Sequence, residues 1–115
     1  MSKLNTTNPD HLTYASPPLA FSVLGGIRLD GLDRLRTTLK IEVLDAEGQH
    51  GAGVAIRHNL DLYNDNQMEK LIRKVAEKLE VGTSMTTAAL MELTSHLEKY
   101  RLEELEKQNT QHDKR

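Results

Sequence analysis

Arg28, Arg34, Arg36, Lys40 and Arg57 are the side chains whose types and spacing point most directly to chemistry. Read with strand parity, they share one face of a sheet, against Glu42 and Asp61. A row of cations can follow a phosphate backbone. It lacks the Phe or Tyr pairs on which single-stranded bases stack, so the expected nucleic-acid contact is weak, salt-sensitive and blind to sequence. The competing reading is a solvated face whose long charged side chains guard the sheet against association. Lys70, Arg73, Lys74 and Lys78 alternate with Glu69 and Glu77 at salt-bridge spacing and read as a solvated helix face.

Other reactive types are scattered. Among His11, His50, His58, His96 and His112 no pair has ligand spacing; Glu92 and His96 lie one helical turn apart, but a metal needs further ligands. His58 has inward parity and is expected to be a hydrogen-bonded residue at the core margin. Gly25-Gly26 and Gly51-Ala52-Gly53 neither open a helix nor lead into Lys and Ser/Thr, so neither is a phosphate loop. Asp61 and Asp65 straddle a strand-to-helix switch and read as caps. No nucleophile, base and oxyanion donor assemble. No catalytic residue, metal, cofactor or small-molecule substrate is therefore expected of this chain on its own.

The run Ala76, Leu79, Val81, Ser84, Ala89 and Leu90 resembles a helix-turn-helix, with Glu80 where Gly is usual and Thr86 where an aliphatic residue is usual. Base reading needs donors on the first turns of the second helix. Thr83, Ser84, Met85, Thr86, Thr87 and Ala88 offer hydroxyls and methyls but no Arg, Lys, Asn or Gln. A structural hairpin is the preferred reading, and a helix-turn-helix-like DNA-binding regulator the alternative.

The elements that must position these residues follow from periodicity. Residues 1–18 contain Pro9, Pro17 and Pro18, show neither a 2 nor a 3.6 period, and are expected as a flexible or extended lead-in. From Leu19 to Leu29 the set Phe21, Val23, Ile27 and Leu29 faces inward, with a bulge at Gly25-Gly26. After the Asp30-Gly31 turn, Leu35, Thr37, Leu39, Ile41 and Val43 share the inner face of a second strand, which Asp45-Ala46-Glu47-Gly48 closes. A third, about Ala52 to Leu62, places Val54, Ile56, Leu60 and Leu62 inward and Arg57, Asn59 and Asp61 outward. Asn64 with Gln67 makes a capping box for a helix whose stripe is Met68, Leu71, Ile72, Val75, Ala76 and Leu79. Gly82 breaks it, and Thr83 or Ser84 caps a second helix burying Met85, Ala89, Leu90, Leu93, Leu97 and Tyr100. Past Tyr100 the register slips. Leu102 and Leu105 fall off the stripe and are the partner-contact candidates, and residues 108–115 read as a disordered tail. The expected fold is α+β: a three-stranded antiparallel meander on a two-helix hairpin (βββαα), in two layers, as one domain over residues 19–107.

Composition bounds the rest. The chain has 115 residues, one Phe, three Tyr and no Trp or Cys, so its core is aliphatic and modest, with neither disulfides nor thiolate metal sites. A net charge of -2 gives no global attraction to nucleic acid or membrane. No apolar run reaches the roughly 18 residues of a membrane span, and Met1 to Thr7 carries no hydrophobic signal core, so a cytoplasmic location is expected.

The segments Val23-Leu24-Gly25-Gly26-Ile27, Leu32 to Ile41, Asp61-Leu62-Tyr63-Asn64 and the helix pair to Tyr100 resemble a region of bacterial mobile-element replication proteins. There, a CHC2 zinc-finger and Toprim primase part is followed, in one chain or a neighbouring one, by a P-loop helicase-like part, and the similar segment lies between them. The resemblance covers about residues 19–107. The CHC2 cysteines, the Toprim acidic motif and the Walker lysine are absent, so primase and ATPase activity carry over to no residue here. The resemblance implies a non-catalytic connecting or docking module in DNA replication, with a primase or helicase-like protein as partner.

Overall fold

In the computed structural model, which describes residues 4–113 apart from 33, seven elements follow one another: β1 (Leu4–Asn5), β2 (His11–Ser16), β3 (Leu19–Leu29), β4 (Leu35–Leu44), β5 (His50–Asp61), α1 (Asp65–Leu79) and α2 (Thr83–Asp113). The class is α+β, as expected. The sheet, however, has five antiparallel strands in the order β1-β2-β3-β4-β5 rather than three. The two additional strands come from the segment expected as a lead-in. Leu12 and Tyr14 alternate with His11 and Thr13, stand opposite Val23 and Phe21, and are buried. Two large apolar side chains suffice because β3 already presents an apolar face to pair with. Pro17-Pro18, joined by a cis peptide, occupies the turn between β2 and β3.

Gly25 and Gly26 both have positive φ, and the β3–β4 register shifts between Leu24 and Arg28, so the expected bulge is present. A side chain on Gly26 would meet the carbonyl oxygen of Pro9, which explains the glycine there. In β5 the expected faces are inverted over the central residues. Ala55 is buried opposite Ile41, whereas Val54 and Ile56 point away from the helices and are exposed. The register shifts between Thr37 and Leu39, opposite Asn59, whose φ is 49°. That extra residue restores inward parity for Leu60. His58, expected at the core margin, is exposed beside this bulge.

The side chain of Asn64 accepts the Gln67 N–H, as a cap should. Gln67 Oε1 reaches back past the cap to the Asp61 N–H at 3.1 Å, which ties β5 to α1. Leu71, Val75 and Leu79 of α1 pack with Ala89, Leu90, Leu93 and Leu97 of α2 against the inner face of the sheet, around Phe21, Leu39 and Ile41. On α2, Thr86 takes the buried place expected for Met85. Its hydroxyl donates to the Gly82 carbonyl at 2.8 Å, leaving only the methyl to face the core. Gly82, not Thr83 or Ser84, supplies the first helix carbonyl, to the Thr86 N–H. The helix continues to Asp113, through six residues expected to be disordered; residues 114–115 lie outside the described residues.

Glu80 ends α1 in the left-handed region, at φ 55° and ψ 43°. A side chain there strains the backbone, and glycine relieves it. Glu80→Gly is therefore expected to raise stability by about 0.5–1 kcal/mol, a shift of a few degrees in Tm by thermal circular dichroism. An unchanged or lower Tm would contradict that turn geometry.

Candidate interaction site

Strand pairing brings four of the five cationic candidates together. Arg28 stands opposite Arg36 across β3 and β4, and Arg36 stands opposite Asp61 across β4 and β5. Arg34 immediately precedes β4, and Lys40 follows Arg36 on the same outer face of that strand. Arg57 does not join them. It stands opposite the buried Leu39, on the face that carries the helices. The Asn59 bulge is the reason, because it displaces the alternation that sequence parity assumes.

Most of the row is already neutralised within the chain. Arg34 Nη1 donates to Asp61 Oδ2 at 3.2 Å, with the Arg36 guanidinium at 4.0 Å from the same oxygen. Arg36 Nε donates to Asp30 Oδ2 at 3.1 Å, and its Nη1 to the Asn59 carbonyl at 3.3 Å. Lys40 lies 3.4 Å from Glu42. Arg28 alone of these four forms no ion pair among the described residues. The carboxylate of Asp61 is 1% exposed beneath the two arginines and also accepts the Tyr63 N–H at 2.9 Å. Four cations thus face three carboxylates, a weak field for a phosphate backbone to feel.

Asp30 organises the turn between β3 and β4. It accepts the Leu32 N–H at 2.8 Å and the Arg34 N–H at 3.1 Å. Those two backbone donors, with Arg36 beside them, hold its carboxyl below the ordinary carboxylate value. A carboxyl lowered on folding contributes stability above its unfolded pKa and loses it as pH falls through the folded one. Asp30→Asn is therefore expected to flatten the acid limb of a Tm-against-pH profile below the ordinary carboxylate range, leaving its neutral limb parallel to that of the parent chain. Parallel acid limbs would exclude this role.

The helical side carries a different surface. A groove of about 680 Å³ runs between α1 and α2, floored by Leu62, Met68, Ile72, Leu90 and Met91 and rimmed by Asp65, Glu69 and Arg73. Glu69 and Arg73 pair at 2.7 Å, one turn apart. The groove passes Thr94 and Ser95 to a shallower hollow at Tyr63, Lys99 and Leu102. The two partner-contact leucines separate here. Leu102 stands beside Tyr63, whereas Leu105 lies against the Gly25-Gly26 bulge, near Leu29 and Tyr100. Met91, at 65% exposed, is the groove residue that sequence reasoning missed. Its position, off the buried stripe of α2 yet apolar, was the available signal.

Base-reading positions at the start of α2 are split. Ser84, Met85 and Ala88 are exposed, Thr86 is buried, and the Thr87 hydroxyl donates to the Thr83 carbonyl at 2.8 Å. Glu92 and His96 prove to share a face with Tyr14. The phenol donates to Glu92 Oε2 at 2.8 Å, and the imidazole lies 5.1 Å from the phenol ring. With the Tyr14 side chain 2% exposed, this contact clasps β2 to α2. No group of three or more metal-ligating residues occurs among the described residues. No helix among them is long and apolar enough to cross a membrane. No family model, curated protein or solved structure matches the chain.

Proposed function

We propose that this chain is a docking module that acts by protein contact, non-catalytic on its own. The observation that carries the reading is the apolar groove between α1 and α2, open to solvent and floored by Met68, Ile72, Leu90 and Met91. Flexible Met side chains beside aliphatic ones suit a groove that receives an apolar helix face. Resemblance to the connecting region of mobile-element replication proteins supplies the context: a cytoplasmic accessory domain whose partner is a CHC2/Toprim primase or a P-loop helicase-like protein. Nucleic-acid contact is secondary. It would run through Arg28 and whatever share of Arg34, Arg36 and Lys40 leaves its carboxylate, and it would be weak and sequence-independent.

Titration calorimetry with the purified primase or helicase-like protein of the same element tests the docking reading. Binding is expected with the parent chain and is expected to weaken by about tenfold or more with Ile72→Glu, which places a charge in the groove floor. A partner bound equally well by that variant, or by neither chain, would exclude the groove. Anisotropy with random single- and double-stranded DNA should show affinity only at low salt. The left-handed turn at Glu80, where a helix-turn-helix has Gly, favours the regulator as the second reading. Sequence-dependent affinity lost on Thr87→Glu but kept on Arg36→Glu would establish that alternative.

A further inference from the structure

We propose that β5 has two registers. The stretch from Val54 to His58 slips by one residue against β4, which carries Arg57 from the face under the helices to the cationic outer face.

Two irregularities bracket that stretch. At one end the pairing passes from Thr37 opposite Leu60 to Leu39 opposite Arg57, so β5 uses one residue more than β4, and Asn59 takes φ 49°. At the other it passes from Glu42 opposite Val54 to Leu44 opposite His50, so residues 51–53 stand against Val43 alone, with Gly53 at φ 95°. A one-residue slip straightens the first irregularity and lengthens the second, where glycine accepts irregular backbone. Leu60 and Asp61, beyond Asn59, keep their partners on β4.

Slipping inverts the faces of the side chains between the two irregularities. Ile56 takes the place of Ala55 opposite Ile41, Val54 takes the inward place of Gly53, and Arg57 moves opposite Lys40. Val54 and Ile56, both 42% exposed, then become buried, and Asn59 leaves the left-handed region that disfavours a side chain. Packing of α1 opposes the slip. A side chain on Gly53 would meet Leu79, and Ala55 is buried, so small residues let the helix lie close to the strand. Val54 and Ile56 in their places push α1 outward, and the exposed His58 must turn inward where Arg57 stood. Each register meets a demand that the other leaves unmet, the condition for a minor state populated at about 0.1–10%. In that state Arg57 joins Arg28, Arg34, Arg36 and Lys40, and the attraction of the outer face for a phosphate backbone rises.

Disulfide trapping in the full chain reads the register directly, whether or not DNA binds. The chain has no Cys, so an introduced pair is the only one present. Opposed residues on one face of an antiparallel pair lie within disulfide reach. Lys40→Cys with Ile56→Cys therefore reports the register described above, and Lys40→Cys with Arg57→Cys the slipped one. In glutathione buffer the second pair should close about 10- to 1000-fold more slowly than the first. Its rate should stay flat up to about 1 M urea, because a slip exposes little surface. Asn59→Val, which resists left-handed backbone, should speed its closure by about fivefold or more, and Asn59→Gly should slow it by about threefold. A second pair that never closes, that closes at a rate rising steeply with urea, or that responds to neither substitution at Asn59 would overturn the proposal.

Discussion

A chain beginning at Pro17 is expected not to fold. Removing residues 1–16 takes away Leu4, Leu12 and Tyr14, which are 8%, 0% and 2% exposed. It also uncovers the flank of β3, where Phe21 and Val23 pair with β2. Burial of side chains of this size contributes about 1.5–3 kcal/mol each. Three of them account for roughly 5–8 kcal/mol, comparable with the whole net stability of a small domain. The Tyr14 clasp to Glu92 is lost as well, so α2 loses an anchor on the sheet. The truncated chain should lack a cooperative thermal transition and should bind hydrophobic dye, while the parent unfolds in one step. A cooperative transition within a few degrees of the parent would mean that β1 and β2 are dispensable.

Asp61→Ala should be the most damaging single substitution on the charged face, at about 2–4 kcal/mol in urea denaturation. Its carboxylate receives Arg34 and the Tyr63 N–H and lies under Arg36. Without it, a backbone N–H and part of two guanidinium groups lose their acceptor at the junction of β5 and α1. The range stops short of that for a fully enclosed pair because Arg34 is 45% exposed and screened by solvent. Arg34→Ala should therefore have a smaller effect than Asp61→Ala. Asp61→Asn, which keeps an acceptor for Tyr63 but drops the charge, should fall between them. The same Asn variant leaves four cations facing two carboxylates, so it should steepen the salt dependence of any DNA binding. A loss below about 0.5 kcal/mol for Asp61→Ala would mean that solvent already satisfies these donors.

The parts of the fold that the sequence made legible are those in which a period persists. Met68, Leu71, Ile72, Val75 and Leu79 mark α1 because 3.6-residue spacing over about three turns has no competing interpretation. Gly25-Gly26 could be recognised as a bulge because two adjacent glycines inside an alternating strand imply positive φ. β2 escaped detection because its alternation rests on Leu12 and Tyr14 alone, framed by prolines. What makes those two side chains a strand is the apolar face of β3 beside them, which is a tertiary fact. β5 was located but its face was misassigned. Asn59 is a residue type that tolerates left-handed geometry, yet nothing local requires the bulge at Asn59 rather than a regular continuation from Arg57 to Leu60. That single residue removes Arg57 from the cationic row. Pairing of Arg34 and Arg36 with Asp61 and Asp30 was likewise hidden. Sequence parity puts these charges on one face, but only the register says which of them touch. The groove was less legible still, since it is the space left between two helices that each show a regular stripe.

Each strand of the meander pairs with the strand next to it in the chain, so no step of sheet assembly has to bring together ends separated by a long loop. Hairpins can therefore form in the order in which the ribosome delivers them, β1 with β2 first and β5 last. The apolar face they build has no cover until α1 and α2 have followed. During that interval Phe21, Leu39 and Ile41 lie open on an otherwise assembled sheet. Nascent chains halted before Leu97 should be the species most prone to chaperone capture and aggregation, and completion of α2, rather than pairing of the strands, sets the moment at which the domain becomes safe in a crowded cell.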